Sequence, residues 1–213
     1  MKKLWLSDLA VVVLAVVCAV VLALHGDMYA LVTCLLTIGC VAIVHAAFHY
    51  FRFPIPYFMY CLILIFIVLA MIFGKMLNFY GRIPLWDFYL HLVSGVILAF
   101  IGYLFYYHMV NFNQPKTVKR SLPCWFVFLF CSAAAGIWEI FEFSGDMLLG
   151  LQSQGGSLVD TMTDIIAGNI GCLIALFFIA RHERGKTSKA IAQMLEEGRK
   201  GREKQQTKKE GRR

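Results

Sequence analysis

The chain alternates long apolar runs with short polar segments, and six of these runs are long enough to cross a bilayer. A helix needs about 20 apolar residues to span the hydrocarbon core. Lipid offers the backbone no hydrogen-bond partners, so each run is predicted to be helical. The pattern therefore predicts an all-α polytopic membrane protein, a bundle of transmembrane helices over residues 8–24, 28–48, 55–73, 87–107, 123–143 and 158–180.

Composition supports this prediction and divides the chain into two parts. Hydrophobic residues make up 60% of the chain and charged residues only 15%, whereas soluble domains average about half apolar and about a quarter charged. Residues 1–180 hold eight basic and eight acidic residues, whereas residues 181–213 hold twelve basic and five acidic ones and supply the net charge of +7. We predict a transmembrane domain over residues 1–180 and a separate basic tail over residues 181–213.

The tail is predicted to be helical at its start and disordered after it. Residues 187–198 fit a short amphipathic helix with Ile191, Met194 and Leu195 on one side, and the polar remainder fits a disordered segment. Its basic side chains favour contact with anionic lipid headgroups. The tail lacks the aromatic residues and motifs of nucleic-acid-binding proteins, so membrane lipid, and no nucleic acid, is the expected partner.

The orientation is predicted from Lys and Arg, which favour cytoplasmic loops. With the N-terminus inside, the cytoplasmic segments contain the basic tail together with Lys2, Lys3, Arg52, Lys116, Lys119 and Arg120. The outer loops contain only Lys75 and Arg82. Both termini are therefore predicted to be cytoplasmic.

The first span follows two lysines, which is also typical of a cleaved signal peptide. The second span begins after only His25, Gly26 and Asp27, and no clear cleavage site lies between the two spans. We therefore expect a retained first helix that forms a tight hairpin with the second, and a signal peptide is the alternative.

Ionisable residues in the later spans are the candidate functional residues. Span four opens with Asp87 and His91, span five ends with Glu139 and Glu142, and span six opens with Asp160 and Asp164. Charged groups at a helix centre cost about 2.5–3.5 kcal/mol each on insertion scales, and they usually mark functional sites. In the predicted orientation all six residues lie in one band at the outer face, with His91 and Asp164 about 6 Å deeper than Asp87 and Asp160.

Small residues follow the ionisable residues at helical spacing in these spans. Gly95 lies one turn after His91, Ala135 one turn before Glu139, and Gly168 one turn after Asp164. Small residues let membrane helices approach closely, so the three spans are predicted to pack around one polar pocket. Helix capping by Asp87 and Asp160 and a headgroup position for Glu142 are alternatives for the three shallower acids, but they fit the deeper residues poorly.

Five carboxylates in a low-dielectric pocket cannot all ionise unless protons or a cation compensate their charge. Carboxylate oxygens with one imidazole suit Mg²⁺, Mn²⁺, Zn²⁺ or Ca²⁺, and the donor mixture does not choose between these ions. The leading hypothesis is a divalent-metal site that acts on, or binds, a lipid or envelope-precursor headgroup. His91, Glu139 and Asp164 would be ligands or catalytic acid/base groups, and Asp87, Glu142 and Asp160 would complete the metal site.

Two alternative functions use the same acids. One is an ion- or proton-coupled transporter, and the other is a non-enzymatic membrane adaptor in which the acids only hold helices together. His45 and His49 also have a metal-ligand spacing, but we interpret them as interfacial histidines beside Arg52. The seven cysteines lie mainly in apolar runs and are interpreted as packing residues.

The polar motifs resemble a known family. Asp87-x-x-x-His91, Trp138-Glu139-x-x-Glu142, and Gln154-Gly155 followed by Asp160-Thr161-x-x-Asp164 resemble the YjdF-like bacterial inner-membrane proteins over residues 75–180. VanZ-like membrane proteins, which are associated with glycopeptide resistance, are a looser likeness. The resemblance implies a bacterial plasma membrane and a shared polar set, and it implies no activity, although the VanZ-like proteins suggest envelope precursors. The short loop before Asp160 and the long basic tail depart from the family pattern.

Overall fold

The structure is a computed structural model, and it describes residues 2–50, 53–110, 112, 119–150, 153, 157–186 and 188–211. Within these ranges the regular elements are helices, without strands. Six of them are long and apolar enough to cross a membrane: Lys3–Leu24, Tyr29–Tyr50, Tyr57–Met76, Trp86–Met109, Leu122–Leu148 and Leu158–Glu183. The prediction of an all-α polytopic membrane protein is confirmed. The expectations for Arg52, Lys116 and the Gln154-Gly155 pair concern residues outside the described ranges.

The chain forms two compact units, Met1–Trp86 and Asp87–Arg213, here called unit 1 and unit 2. Unit 1 contains α1 (Lys2–Leu24), α2 (Tyr29–Tyr50), α3 (Tyr57–Ile67), a π-helical segment (Val68–Met76) and the short α4 (Phe79–Arg82). Unit 2 contains α5, which begins one residue before the boundary (Trp86–Met109), α6 (Leu122–Leu149), α7 (Leu158–Glu183) and α8 (Lys189–Glu210). The predicted boundary between membrane domain and tail at residue 180 stays a prediction.

The first two helices of unit 1 form the expected tight hairpin. Gly26 adopts a positive φ of 93° after α1 ends, which costs glycine less than any other residue. Asp27 Oδ1 then accepts a hydrogen bond from the Tyr29 backbone N–H at 3.1 Å and satisfies one donor at the start of α2. Ala15 and Ala19 of α1 pack with Ala30 of α2 in one of the buried clusters of this unit.

In unit 2, α6 continues beyond the predicted end of its span. The apolar pattern ends near residue 143, whereas the helix runs to Leu149. Ser144 Oγ donates to the Ile140 carbonyl within the helix, and Gly150 ends it in the left-handed conformation at φ 66°. Residues 144–149, predicted to begin a connecting loop, are therefore helical.

The tail helix α8 also extends beyond its predicted end at residue 198 and continues to Glu210. Arg199 forms ion pairs with Glu196 and Glu203 at 2.7 and 2.6 Å, and such pairs at helical spacing support the helix. Residues 199–210, predicted to be disordered, are thus helical. The apolar side predicted for this helix includes Ile191 and Met194, and both are buried.

The contact between α5 and α7 depends on glycine. Gly95 of α5 lies against the carbonyl of Gly168, and Gly171 of α7 lies against the carbonyl of Leu92. A Cβ atom at Gly95 or Gly171 would collide with the opposite backbone. The two helices are therefore in backbone contact, which small residues permit in membrane proteins.

Replacing Gly95 by alanine is expected to lower the free energy of unfolding by about 1–3 kcal/mol, because the added methyl group overpacks the helix crossing. Thermal unfolding in detergent measures the change. The matched control is Gly136→Ala in α6, where a Cβ atom meets nothing within 4 Å. This control should leave stability unchanged or raise it by up to about 1 kcal/mol. Equal destabilisation by both variants would contradict the backbone contact.

Candidate functional site

Three of the predicted site residues come together at the start of α5 and α7. Asp87 lies in the first turn of α5, and His91 follows one turn later on the same face. Asp164 lies in the second turn of α7. Because the glycine contact lies one turn further along both helices, it brings His91 opposite Asp164.

His91 Nε2 lies 3.5 Å from Asp87 Oδ1 and 3.7 Å from Asp164 Oδ2. One donor atom from each of these three residues lies within 4.8 Å of the other two. The exposed fractions of the side chains are 34% for Asp87, 13% for His91 and 4% for Asp164. The group therefore opens towards Asp87 and is closed at Asp164.

The separations within this group suit an ion better than direct hydrogen bonds. N–H···O hydrogen bonds are typically about 2.7–3.2 Å long, and both distances from His91 exceed that range. Metal–ligand distances of about 2.0–2.2 Å put two ligands of one small ion about 3–4 Å apart. The two distances from His91 fall in this range, so Asp87, His91 and Asp164 form a group that could hold a divalent cation.

The other three predicted residues surround this group without belonging to it. Glu139 of α6 is buried, with 5% of its surface exposed, and Glu142 accepts a hydrogen bond at 3.0 Å from Trp138 Nε1. Together with Asp87 and Asp160, both glutamates lie close enough to Asp164 to act on its charge. The six residues therefore share one end of unit 2, and their roles as ligands or catalytic groups stay a prediction.

The caps expected at the start of α7 are present in part. Ser157 is the N-cap residue, and its Oγ accepts a hydrogen bond from the Val159 backbone N–H at 3.2 Å. Asp160 lies half-buried in the first turn, where a negative charge complements the helix dipole. The favourable interaction with the helix dipole explains Asp160 without a bound metal ion, whereas Asp164 lies one turn deeper.

A polar contact between α6 and α7 lies one turn beyond the acidic group. Ser132 Oγ donates a 2.5 Å hydrogen bond to Asn169 Oδ1, and Asn169 Nδ2 donates to the Ile165 carbonyl of its own helix. This bond fixes the rotation of α6 against α7. It therefore helps to determine which faces Glu139 and Asp164 present.

Two further polar clusters were missed at the sequence level. In unit 1, Asp8 of α1 bonds to His45 of α2 and Tyr60 of α3. His45 was interpreted as an interfacial residue beside Arg52; the hairpin of α1 and α2 was expected, but the facing of the two helices that brings Asp8 to His45 is not visible in the sequence. The signal that points to it is a lone carboxylate inside the first apolar run.

The second missed cluster lies at the opposite end of α5 and α7 from the acidic group. Tyr103 and Tyr107 each donate a hydrogen bond to Glu183 Oε1, at 2.6 and 2.7 Å. Nearby, Arg202 of α8 donates to the His108 carbonyl near the end of α5, which helps to satisfy a helix C-terminus. The spacing of Tyr103 and Tyr107 on one helix face was a usable signal.

Comparison with known proteins identifies the family. The model of the family described as "Predicted membrane protein (DUF2238)" matches residues 6–185. The chain belongs to this family. The DUF2238 match includes both units up to the end of α7, and it stops before α8.

One relative of this DUF2238 chain is an "Uncharacterized protein" of Thermotoga maritima, 27% identical over 120 residues. The match covers 56% of this chain and 60% of the relative, so the chain spans less than two thirds of that protein. No solved structure matches the chain. The family match and the six long apolar helices establish a multi-pass membrane protein.

The contact between His91 and Asp164 predicts energetic coupling. Residues in one electrostatic network show coupling free energies of about 0.5–3 kcal/mol in double-mutant cycles. We expect a value in this range for His91→Gln combined with Asp164→Asn, measured from unfolding in detergent. Thr163→Ala is the control partner, because Thr163 is exposed and bonds only to carbonyls of its own helix. A coupling free energy between His91 and Asp164 that is as small as the one between His91 and Thr163 would contradict the contact.

Proposed function

We propose that the end of unit 2 that carries Asp87, His91 and Asp164 is a divalent-metal site that binds, or acts on, the headgroup of a membrane lipid or lipid-linked envelope precursor. The observation that carries this proposal is the spacing of three donor atoms within 4.8 Å of one another. Glu139 is the candidate for a fourth donor or an acid/base group, since it is buried next to Asp164.

Electrostatics supports a cation at this site. Residues 121–180 contain no Lys or Arg, although they contribute five acidic residues to unit 2. Asp164 therefore has several carboxylates and one imidazole as its ionisable neighbours. A bound divalent ion would compensate their charge, and it would supply a Lewis acid that polarises a phosphoryl or carbonyl oxygen.

The position of the site supports a headgroup as the ligand. Asp87 and Asp164 lie in the first two turns of their helices, at the depth where a span meets the headgroup region. Exposed apolar side chains, including Leu158, Val159 and Tyr89, border the same turns. A lipid molecule can therefore place its polar group near the carboxylates while its chains stay on an apolar surface.

The packing next to the site favours binding over transport through unit 2. Immediately beyond His91 and Asp164, α5 and α7 are in backbone contact at their glycines. Further along α7, Ala175 and Ile179 are buried and apolar. A transported ion would have to pass this close helix contact, so an ion- or proton-coupled transporter is the weaker alternative.

The Lys and Arg distribution supports an orientation in which this site faces the exterior of the cell and both termini are cytoplasmic. The likeness to the YjdF-like family supports a bacterial plasma membrane. The VanZ-like likeness is the reason to include envelope precursors among the ligands. We expect anionic lipid headgroups to contact the basic residues of the tail.

The metal site is tested by the metal content of detergent-purified protein after incubation with Mn²⁺, Mg²⁺ or Zn²⁺ and removal of excess ion. We expect about one ion per chain, and its loss in Asp164→Asn and in His91→Gln, because each variant removes one of three ligands. The control is Asp27→Asn in unit 1, since asparagine keeps the capping role of Asp27. Wild-type protein without bound metal would overturn the proposal. Unchanged metal binding in both variants would show that the metal binds at another site.

The headgroup ligand is tested separately with Mn²⁺, which broadens the ³¹P resonance of a phosphate close to it. Protein in a phosphorus-free detergent receives a few molecules of phosphatidylglycerol per chain, or inorganic phosphate instead. We expect selective broadening of the lipid signal with wild type and with Asp27→Asn, and its loss with Asp164→Asn. If only the signal of inorganic phosphate is broadened, the ligand is a soluble anion and not a lipid headgroup. Metal binding without broadening of either signal would reject the phosphate ligand while leaving the metal site intact.

A further inference from the structure

The turn between α7 and α8 concentrates exposed cations at the end of unit 2 that lies opposite the acidic group. Arg181 and Arg184 lie at the end of α7, Lys186 follows them, and Lys189 begins α8. The side chains of all these residues are exposed. Among the described residues none of them forms an ion pair with a carboxylate. These residues, here called the basic turn, therefore carry charge that unit 2 itself does not neutralise.

The acidic residue within this stretch is held by other groups. Glu183 lies between Arg181 and Arg184 in the sequence, but its Oε1 accepts hydrogen bonds from Tyr103 and Tyr107 of α5 at 2.6 and 2.7 Å. Two phenols that donate to one carboxylate oxygen hold the side chain against α5. Glu183 is therefore oriented towards α5, and it is not paired with the arginines beside it.

The end of α7 does not need these side chains as caps. Lys and Arg near a helix C-terminus often donate to its last carbonyl groups. Here the backbone does so, because the Gly185 N–H donates to the His182 carbonyl at 2.9 Å and the Lys186 N–H donates to the Arg181 carbonyl at 3.0 Å. This is the pattern of a Schellman motif, with Gly185 at φ 83°. The side chains of the basic turn are thus left for a partner outside the chain.

The cations in the middle of α8 differ from those of the basic turn. Arg199 pairs with Glu196 and Glu203 at 2.7 and 2.6 Å. Lys200 lies 3.4 Å from Glu196. These cations are compensated within their own helix, although they belong to the same basic tail. The charge that is open to a partner is therefore concentrated at the turn.

An apolar surface borders the basic turn and indicates that the partner is a lipid. The Arg181 guanidinium carbon lies 5.6 Å from the centroid of the Phe177 ring, and Phe177 itself is exposed. Phe178 and Ile174 are also exposed. These side chains belong to the last turns of a membrane span. An acyl chain can therefore lie along α7 while its phosphate reaches the cations, a combination that a soluble anion does not use.

We propose that the basic turn binds the phosphate of an anionic lipid in the cytoplasmic leaflet through Arg184 and Lys186, with Arg181 and Lys189 beside them. Anionic lipids attract Lys and Arg that lie close to the membrane surface. This inference rests on the proposed contact of the cytoplasmic tail with anionic lipid, and it assigns that contact to the turn between α7 and α8. It does not depend on the metal site.

The test is lipid binding to the full-length protein, measured by native mass spectrometry in detergent with EDTA, which removes lipid held through a metal ion. The probes are phosphatidylglycerol, phosphatidylcholine and inorganic phosphate. We expect wild type to prefer phosphatidylglycerol. Arg184→Gln combined with Lys186→Gln should weaken its binding about tenfold or more, because each cation near an anionic surface contributes roughly a fivefold factor. Binding of phosphatidylcholine should not change.

The matched control is Arg199→Gln combined with Lys200→Gln, which removes the same charge from α8 and should keep the affinity for phosphatidylglycerol within about twofold. Arg184→Lys combined with Lys186→Arg keeps both charges and should bind as wild type does. Unchanged binding in the neutralised turn, or equal weakening in the control, would overturn the basic turn as the site and leave the lipid contact of the tail intact. A wild type without preference for phosphatidylglycerol would overturn that contact as well. Binding of inorganic phosphate alone would reject a lipid as the ligand.

Discussion

The backbone contact between α5 and α7 is the constraint on which the candidate site depends. Gly95 follows His91 by one helical turn, and Gly168 follows Asp164 by one turn, so the close approach of the glycines determines the separation of the side chains above them. Larger residues at the crossing would move the helices apart by ångströms, and a metal site tolerates only tenths of an ångström. Glycine at this contact thus determines how close the side chains of His91 and Asp164 lie.

The two polar clusters solve the same physical problem in different ways. In unit 1, one carboxylate receives a hydrogen bond at each oxygen, from His45 and from Tyr60, so its charge is satisfied by the protein itself. In unit 2, Asp164 is surrounded by other carboxylates, and its nearest cationic candidate, His91, lies beyond hydrogen-bond distance. The first arrangement is internally complete, whereas the second has no such internal compensation among its described contacts, which supports the proposed cation.

The tail shows how local pattern and tertiary contact combine. The amphipathic spacing of Ile191 and Met194 predicts the buried side of α8, because residues three apart share a helix face. Gly198 then lies close to Leu104 of α5, so the apolar side of α8 is used within unit 2. Beyond residue 198 the helix is supported by the ion pairs of Arg199 with Glu196 and Glu203. The prediction of disorder was based on the polar composition of this segment and did not consider ion pairs at helical spacing.

The sequence by itself determined the number of membrane helices and the common level of His91, Glu139 and Asp164. Span length and depth are properties of one helix in a bilayer, and they follow from apolar length and rise per residue. Only the tertiary structure decided which side chains meet, because helix rotation and crossing depend on neighbours that no single span specifies. It brought Asp87, His91 and Asp164 together, left Glu142 and Asp160 beside them, and paired Asp8 with His45 across two helices. Contacts between helices are a property of packing, and the pattern along one helix does not contain them.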